Sequence, residues 1–479
     1  MSALHLGHVP SGLLGDLHWQ ALPGLSVDGQ ACCVPQLSPA QMQSLCAHLR
    51  GPARAALRLL PVREIVQAID AAIHELLDAS SDAHRMLLAG LPAITGFSPE
   101  MVRANLQASL RTYRAPQLQR FIAEDFGGSD ALDGFTPRPN GGLSHAEGAP
   151  LISHVWAGNV PGLPLWSLIS GLLVKSGNLG RVSQGEPLMA SVFAQTLARI
   201  APTLGDAMAV LWWAHEDQAV AQAAWAVSDV VMAFGGDAAL AELQAQMPAG
   251  LRFLPHGHKI SLGAIGREAL SATRAPRIAH LAAQDMVRHE QQGCYSPQVF
   301  FVERGAAVSP QEFAERLAAE LQQLSTRFER PPLSLAEARQ VAQWRSAFEW
   351  DANACLIGQP EHPWAVVYHA EPRPLAPGPL HRCAQVFAID TLEDLPQWLQ
   401  ARGRQLQTVG VAVAPARLQP LAWRWAACGV CRVCAIGQMA WPAPAWHNDG
   451  RPSLGDLVTW VDIEASSETL ADGLSSYET

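Results

Sequence analysis

Lysine is nearly absent from this chain of 479 residues: of 33 basic residues only Lys175 and Lys259 are lysines, and the rest are arginine. A compositional preference for arginine explains the bias but not the two exceptions, because a guanidinium fork is a poor substitute where a compact or tunable ammonium is needed. A positive surplus is missing too. With a net charge of -10 and a pI near 5.9, the chain offers no broad field to neutralise phosphate backbones, which argues against nucleic acid as a partner. Long hydrophobic runs are absent: the longest, residues 163–174, is interrupted by serine and glycine and falls short of the roughly 18 residues that a membrane span requires. The opening MSALHLGHVPSGLL lacks the basic start and clean apolar core of a signal peptide, and nine irregularly spaced cysteines read as reduced thiols, so a cytoplasmic location is expected. There is no GxGxxG, hence no standard dinucleotide fingerprint, and there are no internal repeats.

What is present is an ordinary globular composition, 49% apolar and 16% charged, in a chain long enough for two or three well-buried domains. Residues 1–124 read as a helical region: Ser38 with Pro39, and Ser98 with Pro99, each place an N-cap and a first-turn proline, and Ile65, Ile69 and Ile73 mark one helix face. Residues 125–150, rich in Gly, Pro, Ser and Asn, read as a linker or an oligomerisation hairpin. From 151 to 266, short β-like runs such as LISHVWAG and DVVMAFGG alternate with helix-length segments, the signature of βαβ units and a parallel sheet. Residues 267–441 repeat the alternation as a second α/β domain. Residues 442–479 form a C-terminal segment with an oligomerisation strand and a polar, frayed tail, ASSETLADGLSSYET.

In DMVRHEQQGCYSPQVFFVE a helix is expected to end at Gly293, leaving Cys294 in a turn ahead of an apolar strand. Such a turn can expose a sulfur at a cleft, although a lone cysteine is more often structural. Asn159 follows the strand LISHVWAG, at the end of a strand where open α/β sheets bind ligands; taken alone it could simply support a turn. In AFGGDAAL, Gly235 and Gly236 can present backbone N–H groups to a phosphate, with Asp237 opposing an anion there. The CxxCxxC of Cys428, Cys431 and Cys434 lacks a fourth ligand at suitable spacing and reads as strand, so no metal site is expected. Cys32 and Cys33 read as an incidental pair.

Together, GNVPGLP, KSGNLGRVS, VVMAFGGD, LPHGHKISLG, QQGCYSPQVFFVE and HNDGRPSLGDLVTWVDIE resemble, in order over residues 151–464, the LuxC-type fatty acyl reductases, a branch of the aldehyde dehydrogenase superfamily. The resemblance implies an aldehyde-dehydrogenase-like α/β fold with a Rossmann-type cofactor domain, residues 151–266, and an α/β catalytic domain. It implies Cys294 as nucleophile and Asn159 as the oxyanion-hole amide. It implies NADPH, with NADH open, held by Trp156, Gly158, Lys175, Arg181, Ser183, Gly235, Gly236 and Lys259. Arg181 stands where the family usually has a lysine near the adenosine ribose. Hydrolytic relatives read Glu-x-Gly-Gly-Lys where this chain has Pro255, His256, Gly257, His258 and Lys259, so the base that activates a deacylating water is replaced by proline. His256 or His258 would then protonate the leaving group or the thiohemiacetal, and Lys175, His258 or the bound cofactor would lower the Cys294 pKa. The implied substrate is a fatty acyl thioester of coenzyme A, a carrier protein or an acyl-transferring partner enzyme, and the implied assembly is a homodimer or larger. The rivals are an acylating aldehyde dehydrogenase running toward acyl-CoA and a cofactor-free cysteine acyltransferase or hydrolase.

Overall fold

The first 36 residues carry a two-residue turn, Asp28 and Gly29, both with positive φ (48° and 75°), between stretches of β-branched, aromatic and cysteine side chains. Such a turn matches the twist of an antiparallel pair. In the computed structural model, which describes residues 3–15 and 17–475, it closes a hairpin of β2 (His18–Val27) and β3 (Gln30–Gln36), with β1 (Ala3–His5) parallel to β3. The N-terminal region is therefore helical only from Pro39, a correction to the expectation that helix starts with the chain. Both anticipated caps form: Ser38 accepts from the backbone of Gln41 and Ser98 from that of Met101. Ile65, Ile69 and Ile73 are all fully buried along the helix Val62–Leu77.

The 125–150 stretch contributes the strands β4 (Thr136–Pro137) and β5 (Leu143–Gly148); β5 pairs antiparallel with β18 (Val458–Ile463) of the same chain. The last four residues of the tail, read above as frayed, lie outside the described residues.

Two parallel sheets carry the rest. The first contains β6 (Leu151–Val155), β7 (Gly177–Arg181), β8 (Met208–Leu211), β9 (Val230–Phe234) and β10 (Arg252–His256), in the order β10-β9-β6-β7-β8. The chain winds outward to one side of β6 and then returns to build the other, so a crevice opens between the carboxyl ends of β6 and β9, the switch point where such sheets bind ligands. The second contains β11 (Ile260–Ile265), β12 (Pro297–Glu303), β13 (Ala354–Ile357), β14 (Ala365–His369), β15 (Cys383–Ile389), β16 (Leu406–Ala412) and β17 (Arg432–Ala435), in the order β13-β14-β15-β12-β11-β16-β17, with only β13 antiparallel. Strands β12 and β15 are buried along their whole length, as a sheet covered on both faces requires.

Only Gly257, His258 and Lys259 separate β10 from β11. The carboxyl edge of the first sheet therefore runs straight into the amino edge of the second, and a site forms between them. Among the described residues, no helix is long and apolar enough to cross a membrane.

Candidate active site

A cavity of about 650 Å³ lies where the two sheet edges meet. From the first sheet it takes Asn159, Gly235, Gly236 and His256; from the crossover, His258 and Lys259; from the second, Cys294 just ahead of β12. Trp156, Gly158, Arg181 and Ser183 lie at the carboxyl ends of β6 and β7, on the same edge but outside the lining. A Cβ on Gly158 would meet the Ser183 hydroxyl at 2.8 Å, and the Trp156 Nε1–H donates to Ser167 at 2.6 Å. Arg181 turns its Nε and Nη2 onto the Trp213 carbonyl (3.3 and 3.0 Å) and lies over that indole. Lys175 is a correction: it sits two residues before β7, at the opposite edge of the sheet, with a left-handed φ of 58° and its ammonium 2.6 Å from Asp133.

The turn carrying Cys294 is built under strain. The α-helix expected to reach Gly293 ends at Val287, and His289, Glu290 and Gln291 then take left-handed φ values of 47°, 53° and 62°. Leu380, His381 and Arg382 do the same at 64°, 54° and 65°. Each such residue costs roughly 1–2 kcal/mol, so the surroundings must over-determine the shape. They do so through a buried ion pair, with the Arg382 fork on Glu290 at 2.8 and 2.5 Å, and through a backbone bond from the His381 N–H to the Glu290 carbonyl at 3.2 Å. The Gln291 amide then donates to the Pro297 and Cys383 carbonyls. Gly293 is needed for space rather than for a helix cap, since a Cβ there would come within 2.4 Å of the Tyr295 ring.

Around the thiol, Asn159 Nδ2 donates to the Gln292 carbonyl at 2.7 Å, which places the amide against the nucleophile's own loop. Ser261 Oγ donates to the Cys294 carbonyl at 2.7 Å, and Gln407 Nε2 lies 3.7 Å from the sulfur. Cys294 is partly open to the cavity but surrounded by protein; burial first, then Asp449, push the thiol up to about 12, against the pull of Arg432 and Lys259. The resting site thus holds a protonated thiol. The lysine near it is Lys259, not Lys175. His258 is exposed and, among the described residues, engaged through its backbone N–H, on Asp237.

His256 Nδ1 lies 2.8 Å from Asp449 Oδ2, and its ring stacks on Phe234 with centroids 4.5 Å apart. Among the described residues, its buried Nε2 has no hydrogen-bond partner. Lys259 Nζ lies 3.2 Å from the other Asp449 oxygen. Pro255 does not face the thioester position: it is exposed on β10, the edge strand, where proline is tolerated, and alternation turns His256 rather than Pro255 to the cavity. Asp449, Asn448 and Gln407 were missed by the residue-level reading. The available signal was the Asn-Asp-Gly of HNDGRPSLG, a sequence that tolerates left-handed turns; Asp449 has φ 56°.

Cys434 lies in β17 as expected, whereas Cys428 and Cys431 lie in the turn before it. Among the described residues, no group of His, Cys, Asp or Glu is arranged to hold a metal ion.

Comparison with known proteins bears on the family and the fold. The family model described as Acyl-CoA reductase (LuxC) matches residues 57–460. A long-chain acyl-protein thioester reductase of Vibrio harveyi is 24% identical over 332 residues, 68% of this chain and 66% of the relative, and one of Aliivibrio fischeri is 28% identical over 226 residues, 46% of each. The matches thus span from under half to about two-thirds of these relatives' lengths. Among solved structures, aldehyde dehydrogenase 21 of Physcomitrella patens, in complex with succinate, superposes with a TM-score of 0.73 at 10% identity, covering 97% of this chain and 99% of that one. An NAD-dependent benzaldehyde dehydrogenase of Corynebacterium glutamicum gives 0.70 at 13% identity, covering 96% and 98%. An NADP-dependent glyceraldehyde-3-phosphate dehydrogenase of Bacillus halodurans, complexed with NADP, gives 0.67 at 12% identity, covering 97% and 100%. With the family model matched over residues 57–460, most of its length, and an aldehyde-dehydrogenase fold over 97% of it, this chain belongs to the acyl-CoA reductase (LuxC) family.

Proposed function

We propose that this protein reduces acyl thioesters to aldehydes through an acyl-enzyme on Cys294. The observation that carries the reading is the meeting of Cys294, Asn159 and His256 in one cavity that also contains an open pair of glycines. The relatives named as long-chain acyl-protein thioester reductases and the family described as acyl-CoA reductase support a long-chain acyl thioester of a protein or of coenzyme A as the substrate; in this reading an acyl-transferring partner enzyme delivers it.

The residues present fit a nicotinamide dinucleotide. A Cβ on Gly235 or Gly236 would meet nothing within 4 Å, so protein packing does not demand glycine there and the space is free for a ligand at the start of the helix Asp237–Ala245. Asp237, which would repel a phosphate, is drawn toward the His258 N–H. Gly235, Gly236 and Lys259 would hold the cofactor, with Trp156, Gly158, Arg181 and Ser183 shaping the crevice beside it. Bound there, NADPH, or NADH in its place, supplies the hydride that turns the thioester into an aldehyde.

In the acylation step the Cys294 sulfur attacks the thioester carbonyl. The Asn159 amide and a backbone N–H stabilise the developing oxyanion. The new S–C bond forms as the carrier's C–S bond breaks, and the thiol proton, carried by His256, ends on the departing carrier sulfur. Once the acyl-enzyme is reduced, collapse of the thiohemiacetal anion would release the aldehyde and the Cys294 thiolate, and a second proton, taken from solvent and held on His256, would restore the free thiol.

The test is intact mass after exposure to a panel of saturated acyl-CoA thioesters without NADPH, followed by NADPH absorbance in the same mixtures. An acyl adduct on Cys294 that disappears as NADPH is oxidised supports the reading. An adduct lost to free acid without NADPH points instead to a cofactor-free hydrolase.

A further inference from the structure

The His256 side chain meets a carboxylate from the far end of the sequence. Asp449 lies in the short turn Asn448–Gly450, held at φ 56°, where a non-glycine residue is disfavoured. Its side chain is nearly buried, at 10% exposure, with one oxygen 2.8 Å from His256 Nδ1 and the other 3.2 Å from Lys259 Nζ. Burial alone would push this carboxyl up, but His256 and Lys259 outweigh it and hold Asp449 below the ordinary aspartate range. The turn therefore presents a charged oxygen to Nδ1, and the proton on that nitrogen is fixed in place. The opposite nitrogen, Nε2, is the one without a partner among the described residues. Asn448 extends the arrangement toward the sulfur: its Oδ1 accepts from Gln407 at 2.8 Å, the same Gln407 whose Nε2 lies 3.7 Å from Cys294.

We propose that Asp449 is a positioning residue for proton transfer at Cys294: it holds His256 in the tautomer whose Nε2 is free to take the thiol proton as the sulfur attacks, and to return it to the departing carrier thiolate. This rests on the acyl-enzyme reading above. The balance is complete within the site: one S–C bond forms, one breaks, and a single proton moves from Cys294 through His256 to the carrier sulfur. Lys259 pairs with the second Asp449 oxygen at 3.2 Å and helps to keep the carboxylate charged. It also donates to the Arg404 carbonyl at 3.1 Å, an end-on contact suited to a compact ammonium and not to a planar fork.

The experiment is a double-mutant cycle with Asp449→Asn and His256→Gln in the full chain, read in two ways: the rate of Cys294 alkylation by iodoacetamide near neutral pH, with Cys294→Ala marking the background, and the rate of the acyl-CoA mass adduct. A residue acting only through His256 loses its effect when His256 is gone. Asp449→Asn should slow both rates by about tenfold or more with His256 present, a part of the roughly hundredfold or greater contribution of a positioned acid–base group, and by less than about twofold in the His256→Gln background. Added imidazole should restore part of the rate in His256→Gln and not in Cys294→Ala. Equal loss in both backgrounds, or no loss beside an intact His256, overturns the proposal, since a turn that merely anchors the C-terminal segment would behave that way. Should Asp449→Asn fail to fold, Asp449→Glu, which moves the carboxylate by one methylene, reads the same coupling. The two readouts also separate the hypotheses: alkylation coupling without any acyl adduct in the wild type would sink the reductase reading and leave the Asp449 assignment standing.

Discussion

Lys175 and Lys259 are the chain's only lysines, both are largely buried and both face an aspartate, yet they belong to different parts of the chemistry. Lys175 sits in a left-handed turn at the amino edge of the first sheet and binds Asp133, whose same oxygen also accepts the first N–H of the helix Val62–Leu77. It ties the N-terminal helices to the sheet. Lys259 sits where the carboxyl edge of that sheet crosses to the second, beside His256 and within the field of Cys294. The scarcity of lysine marks both places as ones where a fork fits badly. Which of them is chemical is decided by the sheet edge, and a composition cannot show that.

The largest expected effect lies on the Lys259 side: Cys294→Ala should abolish both the acyl adduct and aldehyde formation while leaving the melting temperature near that of the wild type. An adduct of undiminished stoichiometry on the variant would move the nucleophile elsewhere. Asn159→Ala should lower turnover by about a hundredfold or more, the usual loss for one oxyanion-hole donor, with nicotinamide affinity nearly unchanged in a fluorescence titration. Loss of cofactor binding at an unchanged saturated rate would assign Asn159 to the cofactor instead.

Exchanging each lysine for methionine tests the comparison directly. Lys259→Met should lower turnover with a small change in melting temperature. Lys175→Met should do the reverse, costing about 1–3 kcal/mol as Asp133 loses its partner, with turnover kept below the new melting point. Lys175→Gly should be less harmful than Lys175→Ala by roughly 1 kcal/mol, since glycine relieves the left-handed strain at φ 58°. If both methionine variants lost turnover and neither lost stability, the division between the two pairs would fail.

A third aspartate sharpens the contrast, because it is buried without a lysine. Asp285, on the helix Ala275–Val287 leading into the Cys294 turn, accepts from the backbone N–H groups of Gly437 and Met439. Burial pushes its carboxyl up to about 7, against those hydrogen bonds and the charge of Arg432. Its folded pKa is thus above the unfolded value of about 4. Between the two the native state holds a proton that the unfolded chain has lost, so this group's contribution to stability falls as pH rises from about 4 to about 7 and is level above that. Asp285→Asn should flatten that part of the melting-temperature profile relative to the wild type. An unchanged slope would mean that the carboxyl titrates normally.

How much of this was legible in the sequence depended on how local each signal was. The caps at Ser38 and Ser98 and the buried isoleucine face of Val62–Leu77 follow from neighbours a few residues apart, and all are present. The Asp-Gly hairpin of the first 36 residues was equally local and was overlooked in favour of the helices after it. The strand β7, read as GNLGR, has too few apolar side chains to stand out and is specified by its neighbours β6 and β8. The partners of Cys294 and His256 were not legible from spacing at all, because Gln407 and Asp449 arrive from 113 and 193 residues away. So too the lock between Glu290 and Arg382, at a separation of 92, replaces the glycine-capped helix end that the local sequence favoured.

The smallest effect expected is at Pro255. The alignment with hydrolytic relatives makes Pro255→Glu look like the restoration of a deacylating base, with free acid as the product. The strand argues otherwise. Side chains along β10 alternate, Leu254 inward and Pro255 outward, and His256 is the residue on the cavity side. A glutamate at 255 would therefore extend into solvent from an edge strand. Proline's fixed φ and missing N–H are also lost, so Pro255→Ala must be run beside it as a control on the backbone. From one labelled acyl-CoA, with and without NADPH, the ratio of acid to aldehyde should be the same in wild type, Pro255→Ala and Pro255→Glu. His256→Glu, which does place a carboxylate on the cavity wall, should be the variant that releases acid. If Pro255→Glu released acid and His256→Glu did not, the alternation of β10 would be displaced by one residue at the site, and the division between the Lys175 and Lys259 sides would have to be redrawn with His256 outside the chemistry.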